Sequence, residues 1–205
     1  MVVVRQREAP SGPPNEDHVV RLQGATWADY QRILELRGDR SAPRITYDGG
    51  VLEIMSPSRN HEDLKSLIGR LIEVWCLERG VRFTTLGSWT LEDKDADKGA
   101  EPDECYLFGD RSDDVKRPHL AVEVVWTSGG LNKLRVYQAL EVGEVWFWKD
   151  GRLTVHLLGD DGYAESPESR TLPGIDVGEL ASFLDRPTTY DAITAYRAAL
   201  RARQA

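Results

Sequence analysis

Cysteine and long apolar runs are both scarce in this sequence. The 205 residues include two cysteines, Cys76 and Cys105, and neither belongs to a CxxC motif or another metal-type spacing. Cys76 falls on the apolar face of a predicted helix, which favours a packed thiol over a disulfide. No apolar stretch reaches the roughly 20 residues that a helix needs to cross a bilayer. These absences exclude a disulfide scaffold, and we expect a cytoplasmic protein that spans no membrane.

Positive charge is also in short supply. Lysine and arginine number 26 against 34 aspartates and glutamates, so the net charge is −8. A surface that coats DNA is usually basic, and this balance argues against a large one. It does not exclude a metal-dependent enzyme that acts on nucleic acid, because such a site needs only local carboxylates. We expect such a protein to bind nucleic acid weakly without metal, and more weakly as the salt concentration rises.

The chain length suits one compact domain with irregular ends. Residues 1–17 are rich in proline, glycine and charge, which predicts a loose N-terminal arm. Residues 18–187 form the predicted domain, and residues 188–205 a C-terminal helical tail.

Local signals divide the domain into helices and strands. Thr26 caps a predicted helix that Gly38 ends, and Asp48-Gly49 predicts a β-hairpin between two apolar runs. From residue 61 onward the predicted order is a helix (61–79), three strands (81–91, 101–108 and 119–126), a helix (131–143) and a strand (144–150). A second hairpin is predicted across Asp150-Gly151, and residues 92–100 as a charged loop. This order predicts an α/β (α+β) fold with a central sheet, preceded by the N-terminal helix and β-hairpin.

Two acidic residues stand where packing alone would not place them. Asp103 lies near the start of a predicted strand, and Glu123 lies in the middle of the apolar run LAVEVVW. A buried carboxylate is costly unless it is paired or holds a metal ion. A structural ion pair and a hard cation shared by Asp103 and Glu123 are both open readings. Neighbouring strands lie about 4.8 Å apart, so two carboxylates there could share one Mg²⁺.

Lys133 falls in the first turn of the helix that follows the Glu123 strand. The helix dipole disfavours a cation there, so this lysine is either solvated or reaches towards a nearby anion. Phosphoryl chemistry uses such a charge, because an ammonium group stabilises the developing negative charge while a metal ion activates water.

Four further residues are auxiliary candidates with ordinary alternatives. His61 and Glu62 begin the long helix, where Glu62 also suits the helix dipole and His61 also suits core packing. Glu53 alternates with apolar neighbours and so could face solvent. Tyr137 lies one turn after Lys133, where it could position that lysine or cover the core.

These residues and their flanking phrases resemble the Uma-type putative restriction endonuclease family, which belongs to the PD-(D/E)XK superfamily. The resemblance covers about residues 25–185 and rests on Glu101-Pro102-Asp103, Glu123-Val124-Val125, Lys133 and Tyr137, and on the phrases GGVLEIMSPSRNHE, LAVEVVWTSGG and KLRVYQALEVGEVWFW.

The resemblance implies a restriction-endonuclease-like core, with a central mixed sheet flanked by helices, and hydrolysis of DNA phosphodiester bonds. It also implies Mg²⁺, with Mn²⁺ as a substitute, held by Asp103 and Glu123. Val125 stands where the superfamily has its lysine, and in this family that role passes to Lys133. The acid that many relatives carry shortly before this lysine is absent from Gly129–Asn132.

Three functions follow as hypotheses. The first is a DNA endonuclease with Asp103, Glu123 and Lys133 as its catalytic set. The second is a nuclease-fold module that binds DNA or regulates, and has lost catalysis; Val125 and the acidic charge favour it. The third is a metal-dependent hydrolase of RNA or of a small phosphodiester. A homodimer suits the first, because two subunits can cut two strands.

Overall fold

The structure, a computed structural model, describes residues 16–110, 114–125 and 131–203. The predicted N-terminal arm lies outside the described residues except for its last two positions, as do Gly129 and Gly130. No helix in the described ranges is long and apolar enough to cross a membrane.

Five helices and eleven strands follow one another in the described part of the chain. In chain order they are β1 (His18–Gln23), α1 (Trp27–Arg37), β2 (Arg44–Asp48), β3 (Val51–Ser56), α2 (Arg59–Arg79), β4 (Phe83–Thr85), β5 (Leu91–Asp93), β6 (Lys98–Ala100), β7 (Glu104–Phe108), β8 (Leu120–Val125), α3 (Lys133–Ala139), β9 (Glu144–Lys149), β10 (Arg152–Gly159), β11 (Gly162–Ser166), α4 (Val177–Ala181) and α5 (Thr189–Ala202).

The strands of the described residues form two sheets. The first sheet has the order β1-β3-β2-β6-β5 and is antiparallel throughout. The second has the order β11-β10-β9-β8-β7-β4 and is mixed, because β8 runs parallel to β9 and antiparallel to β7. The predicted α+β fold with a mixed sheet and flanking helices is therefore confirmed.

Capping chemistry fixes the ends of the two long N-terminal helices. Thr26 accepts a hydrogen bond from the N–H of Asp29, and Asp29 bonds back to Thr26, which is a capping box at the start of α1. Ser58 caps α2, and Gly80 ends it in the left-handed conformation that glycine adopts without strain. These starts and stops are local: the sequence predicts the start of α1 correctly, and α2 begins two residues before the predicted position 61.

Helices cover both faces of the second sheet, and the side chains of β8 contribute to the apolar cluster on each face. Leu120, Val122 and Val124 face α2 in the largest apolar cluster, which α4 and α5 complete. Ala121 faces α3 in a second cluster. Glu123 lies on this α3 face, so its carboxylate is held between the sheet and the helix that carries Lys133.

Two parts of the predicted layout are wrong. The charged segment 92–100, predicted as a loop, belongs to a hairpin of β5 and β6. The sequence does not reveal this hairpin, because strands of three residues are too short to show a period-two pattern. The predicted strand 81–91 is strand only at Phe83–Thr85 and at Leu91. Strand β1 is an edge strand of the first sheet and β11 an edge strand of the second, and the sequence patterns described above predict neither strand.

Candidate active site

A cleft of about 760 Å³ opens between the two sheets. Strands β1 and β3 form one wall, strands β8, β9 and β10 form the other, and the start of α3 borders both. The acidic residues that line it are Asp17, Glu53, Glu123 and Asp150, and the basic residues are Arg21, Lys133, Lys149, Arg152 and His156. The cleft therefore carries acids and bases together in a chain whose net charge is −8.

Glu123 lies at the base of this cleft with both carboxylate oxygens bonded. Lys133 Nζ lies 2.5 Å from Glu123 Oε2, and the hydroxyl of Tyr137 donates to Oε1. Lys133 and Tyr137 are one turn apart on α3, which places both over the same carboxylate. The structure therefore brings Glu123, Lys133 and Tyr137 together.

Asp103 lies beside Glu123 on the neighbouring strand. Glu104 pairs with Val122 in the β7–β8 ladder, so the same register extended by one residue sets Asp103 opposite Glu123. The backbone N–H of Val124 donates to Asp103 Oδ2 over 2.8 Å. Arg44 Nε lies 3.1 Å from Asp103 Oδ1. Asp103 is fully buried and does not line the cleft, so it supports the site from behind Glu123.

His61 joins Asp103 to the beginning of the described chain. Its Nε2 lies 3.0 Å from Asp103 Oδ2, and its Nδ1 lies 2.9 Å from Asp17 Oδ2. Asp17 also accepts a hydrogen bond from the N–H of Ser58, the residue that caps α2. The imidazole is fully buried between two carboxylates, so it is an ionic bridge rather than a packed apolar ring.

Of the two other candidate acids, Glu53 lies in the cleft and Glu62 lies outside it. Glu53 is buried and lines the cleft, where it accepts hydrogen bonds from Arg21 Nε and from the N–H of Leu131. It therefore does not face solvent. Glu62 stays outside the cleft and pairs with Arg44 over 3.1 Å. Arg44 thus bridges Glu62 and Asp103.

The protonation states follow from burial and from these contacts. Burial alone would raise the pKa of Asp103, but His61, Lys133 and Arg44 outweigh it and lower the pKa well below its usual value. Burial raises the pKa of Glu123; Lys133 opposes this rise and Asp103 adds to it.

The contacts with these acids also change the pKa values of His61 and Tyr137. Burial would lower the pKa of His61, but its close contacts with the carboxylates of Asp103 and Asp17 raise it to about 9. Burial and the charge of Glu123 raise the pKa of Tyr137 well above its usual value, so its hydroxyl stays protonated and donates.

The donors of this site fit a hard divalent cation in kind. Glu123 and Asp103 are adjacent buried carboxylates, and the charge of one raises the pKa of the other, so a cation would relieve their repulsion. No group of three or more His, Cys, Asp or Glu in the described ranges is arranged as a metal site. Mg²⁺ does not require one, because it is often bound by one or two carboxylates with waters and substrate phosphates. The assignment of Mg²⁺ to Asp103 and Glu123 stays a prediction.

Burial of an acid is not by itself the mark of this site. Glu101 is buried and accepts hydrogen bonds from Arg37, Thr90 and the N–H of Ile45. Glu144 is buried and accepts from Trp146, Ser169 and two backbone N–H groups. Both are held by their own surroundings and lie outside the cleft.

Sequence reasoning missed two residues that complete the site, Arg44 and Asp17. A signal for Arg44 was available, because Arg44, Thr46 and Asp48 alternate with apolar residues in β2 and so share one face. No such signal exists for Asp17, because the residues before it are rich in proline, glycine and charge and show no periodic pattern.

Comparison with known proteins identifies the family. No curated protein matches the chain. Among solved structures, a crystal structure described as a putative nuclease belonging to DUF820 from Anabaena variabilis is 14% identical over 79% of this chain and 96% of that chain, with a TM-score of 0.45. A family model described as putative restriction endonuclease matches residues 27–183. That span includes Asp103, Glu123, Lys133 and Tyr137, and the chain belongs to this family, Uma2.

Proposed function

We propose that this protein is a Mg²⁺-dependent endonuclease that hydrolyses DNA phosphodiester bonds in the cleft between its sheets. One observation carries the proposal: the Lys133 ammonium and the Glu123 carboxylate meet at 2.5 Å on the cleft floor, with Asp103 on the neighbouring strand. Membership of the Uma2 family supports the same reaction class. DNA as the substrate, a cytoplasmic location and a homodimer remain predictions.

Each side chain has a defined task in this proposal. Glu123 and Asp103 would hold Mg²⁺, which when bound lowers the pKa of a coordinated water and polarises a phosphoryl oxygen. Lys133 offers an ammonium group at the cleft, where charge develops on the phosphate as the bond to a sugar oxygen breaks. Tyr137 fixes the orientation of Glu123 through its hydrogen bond.

Arg44 and His61 keep Asp103 ionised in the buried wall behind the cleft. Asp103 Oδ1 accepts from Arg44, and Oδ2 meets Val124 and His61, so coordination at Asp103 would use the remaining lone pair of Oδ1 or replace one of these contacts. Arg44, His61 and Lys133 therefore stabilise the two buried acids with cations of the protein itself.

Cleavage of supercoiled plasmid in Mg²⁺, Mn²⁺ and EDTA tests the proposal. We expect Glu123→Gln, Asp103→Asn and Lys133→Met each to lower the rate by at least about 100-fold, the usual effect of losing one preorganised electrostatic group. Exposed controls, Glu35→Gln and Lys94→Met, should cut like the wild type. Equal cutting by all the proteins would identify a contaminant and reject the site.

The same assay at fixed salt separates the substrates. Faster cleavage of RNA or of a small phosphodiester than of DNA would keep the chemistry and reject DNA as the substrate. Fixed salt is necessary, because the affinity for nucleic acid falls steeply as salt rises.

One observation favours the second hypothesis, a binding module without catalysis. The oxygens of Asp103 are bonded to Val124, Arg44 and His61, as expected for a purely structural carboxylate. A DNA titration distinguishes the two functions, because tight binding without cleavage in Mg²⁺ or Mn²⁺ supports the module and contradicts the endonuclease.

A further inference from the structure

Two cations of the cleft stand directly opposite each other at the β9–β10 hairpin. Lys149 ends β9, Arg152 begins β10, and the two are register partners across the turn at Asp150-Gly151. Both side chains are exposed and both line the cleft. Like charges directly opposite in an antiparallel pair destabilise a hairpin. The pair therefore violates the preference for opposite charges across a β-ladder, and it does so at the edge of the candidate active site. Such violations are typical of functional positions.

The carboxylate that pairs with Arg152 offsets little of this repulsion. Arg152 pairs with Glu165 over 2.6 Å, but the two side chains are 72% and 48% exposed, and an exposed pair of this kind contributes little. Lys149 forms no ion pair with any residue in the described ranges. An anion that reaches both side chains would turn their repulsion into attraction.

The sheet register relates this pair to the catalytic carboxylate. Glu123 is the register partner of Phe147, and Val125 is the partner of Lys149. Lys149 is thus one strand across and two residues along from Glu123, a separation of about 8 Å from ordinary strand spacings. Each strand of a DNA duplex carries a phosphate about every 3.4 Å of helix axis. The direct distance between neighbouring phosphates is larger than this rise, because they also wind around the axis. A phosphate one or two nucleotides from one bound at Lys133 would therefore reach the pair.

We propose that Lys149 and Arg152 form a phosphate-binding subsite that holds the nucleic-acid backbone beside the reacting phosphodiester. This inference rests on the proposed function and names where its polymer substrate is held. Arginine can grip a phosphate through two N–H groups, while lysine acts as a point charge. The subsite reads backbone and not sequence, and it sets two strong cations at the cleft of a protein with net charge −8.

Equilibrium binding of a short fluorescein-labelled duplex, without divalent ions and over a series of salt concentrations, tests the subsite. We expect Lys149→Ala and Arg152→Ala each to weaken binding roughly tenfold at low salt and to reduce the slope of log affinity against log salt by about one. Lys149→Arg should retain wild-type binding. The matched controls are Lys94→Ala for the lysine and Arg82→Ala for the arginine, because Arg82 belongs to another exposed ion pair outside the cleft.

Thermal unfolding gives a second readout that a merely structural role would not produce. If the pair is held for an external anion, Lys149→Glu removes a repulsion and can pair with Arg152. The variant should then melt at a higher temperature than the wild type while losing duplex binding. A structural role predicts the opposite, a lower melting temperature with binding unchanged.

The outcomes separate this inference from the proposed function. If the wild type cleaves DNA and Lys149→Ala binds and cuts like Lys94→Ala, the subsite is rejected and the endonuclease stands. If duplex binding depends on Lys149 but no cleavage occurs in Mg²⁺ or Mn²⁺, the subsite stands and the endonuclease is rejected. If the wild type neither binds duplex at low salt nor cleaves it in Mg²⁺ or Mn²⁺, both are rejected.

Discussion

Arg44 Nε lies 3.1 Å from Asp103 Oδ1, although the two residues are 59 positions apart in the chain. The guanidinium is 3% exposed and the carboxylate is fully buried. Arg44 belongs to the first sheet, and Asp103 directly precedes a strand of the second. The contact therefore joins the two halves of the fold at the back of the candidate active site.

Removing this guanidinium should destabilise the protein strongly. Arg44→Met leaves a buried carboxylate without its arginine partner, and we expect a loss of about 3–5 kcal/mol in the free energy of unfolding, measured by urea denaturation. Arg59→Met is the control, because Arg59 pairs with Asp63 on the exposed surface of α2 and should cost at most about 1 kcal/mol. Equal losses in the two variants would contradict a buried ion pair at Asp103.

Divalent metal should stabilise the wild type through Glu123. A ligand that binds the native state at about a hundredfold excess over its Kd contributes about 2.7 kcal/mol, and a domain of this size gains about 2–4 °C in Tm for each kcal/mol. We expect Mg²⁺ and Mn²⁺ to raise the Tm of the wild type and of Glu35→Gln, but not of Glu123→Gln. A metal-dependent rise that survives in Glu123→Gln would place the ion elsewhere.

Glu78 predicts an acid-sensitive contact between α2 and α5. Its hydrogen bonds with Arg201 and Arg197 lower the pKa of its carboxyl from 4.5 to about 2. A lowered pKa in the folded state contributes stability that is present above pH 4.5 and is lost as the pH falls towards 2. Glu78→Gln should therefore unfold with less dependence on pH across that window than the wild type. Unchanged pH dependence in Glu78→Gln, relative to Glu35→Gln, would contradict the contact.

Gly99 has no room for a side chain. A methyl group there would overlap the ring of Tyr30, which packs from α1 onto the first sheet. We expect Gly99→Ala to cost about 1–3 kcal/mol in the free energy of unfolding, as overpacking of a core usually does. Gly143→Ala is the control, because a methyl group there meets open space. A Gly99→Ala variant as stable as Gly143→Ala would show that α1 does not sit against β6 in this way.

Local chemistry explains which parts of the fold the sequence could predict. The cap at Thr26, the stop at Gly38 and the hairpin at Asp48-Gly49 each depend on a few adjacent residues. The nearly continuous apolar run around Glu123 predicts an interior strand, and β8 is one. The sequence therefore predicted the helices, the two main hairpins and the convergence of Glu123 with Lys133.

Contacts between distant segments explain what the sequence could not predict. His61 meets Asp17 across 44 positions, and Arg44 meets Asp103 across 59; no periodic pattern encodes such pairs. The β5–β6 hairpin was missed because its turn is charged and its strands are short. The division into two sheets, which creates the cleft, depends on pairing of β2 with β6, a non-local choice.

The hydrogen bond between Glu53 and Leu131 links the two walls of the cleft. The Glu53 carboxylate, carried by the first sheet, accepts from the N–H of Leu131, two residues ahead of Lys133. The start of α3 is thereby tied to the opposite wall of the groove. We therefore expect a change in the separation of the two sheets to move the Lys133 ammonium group, so that the width of the cleft and the position of this charge would vary together in the proposed reaction.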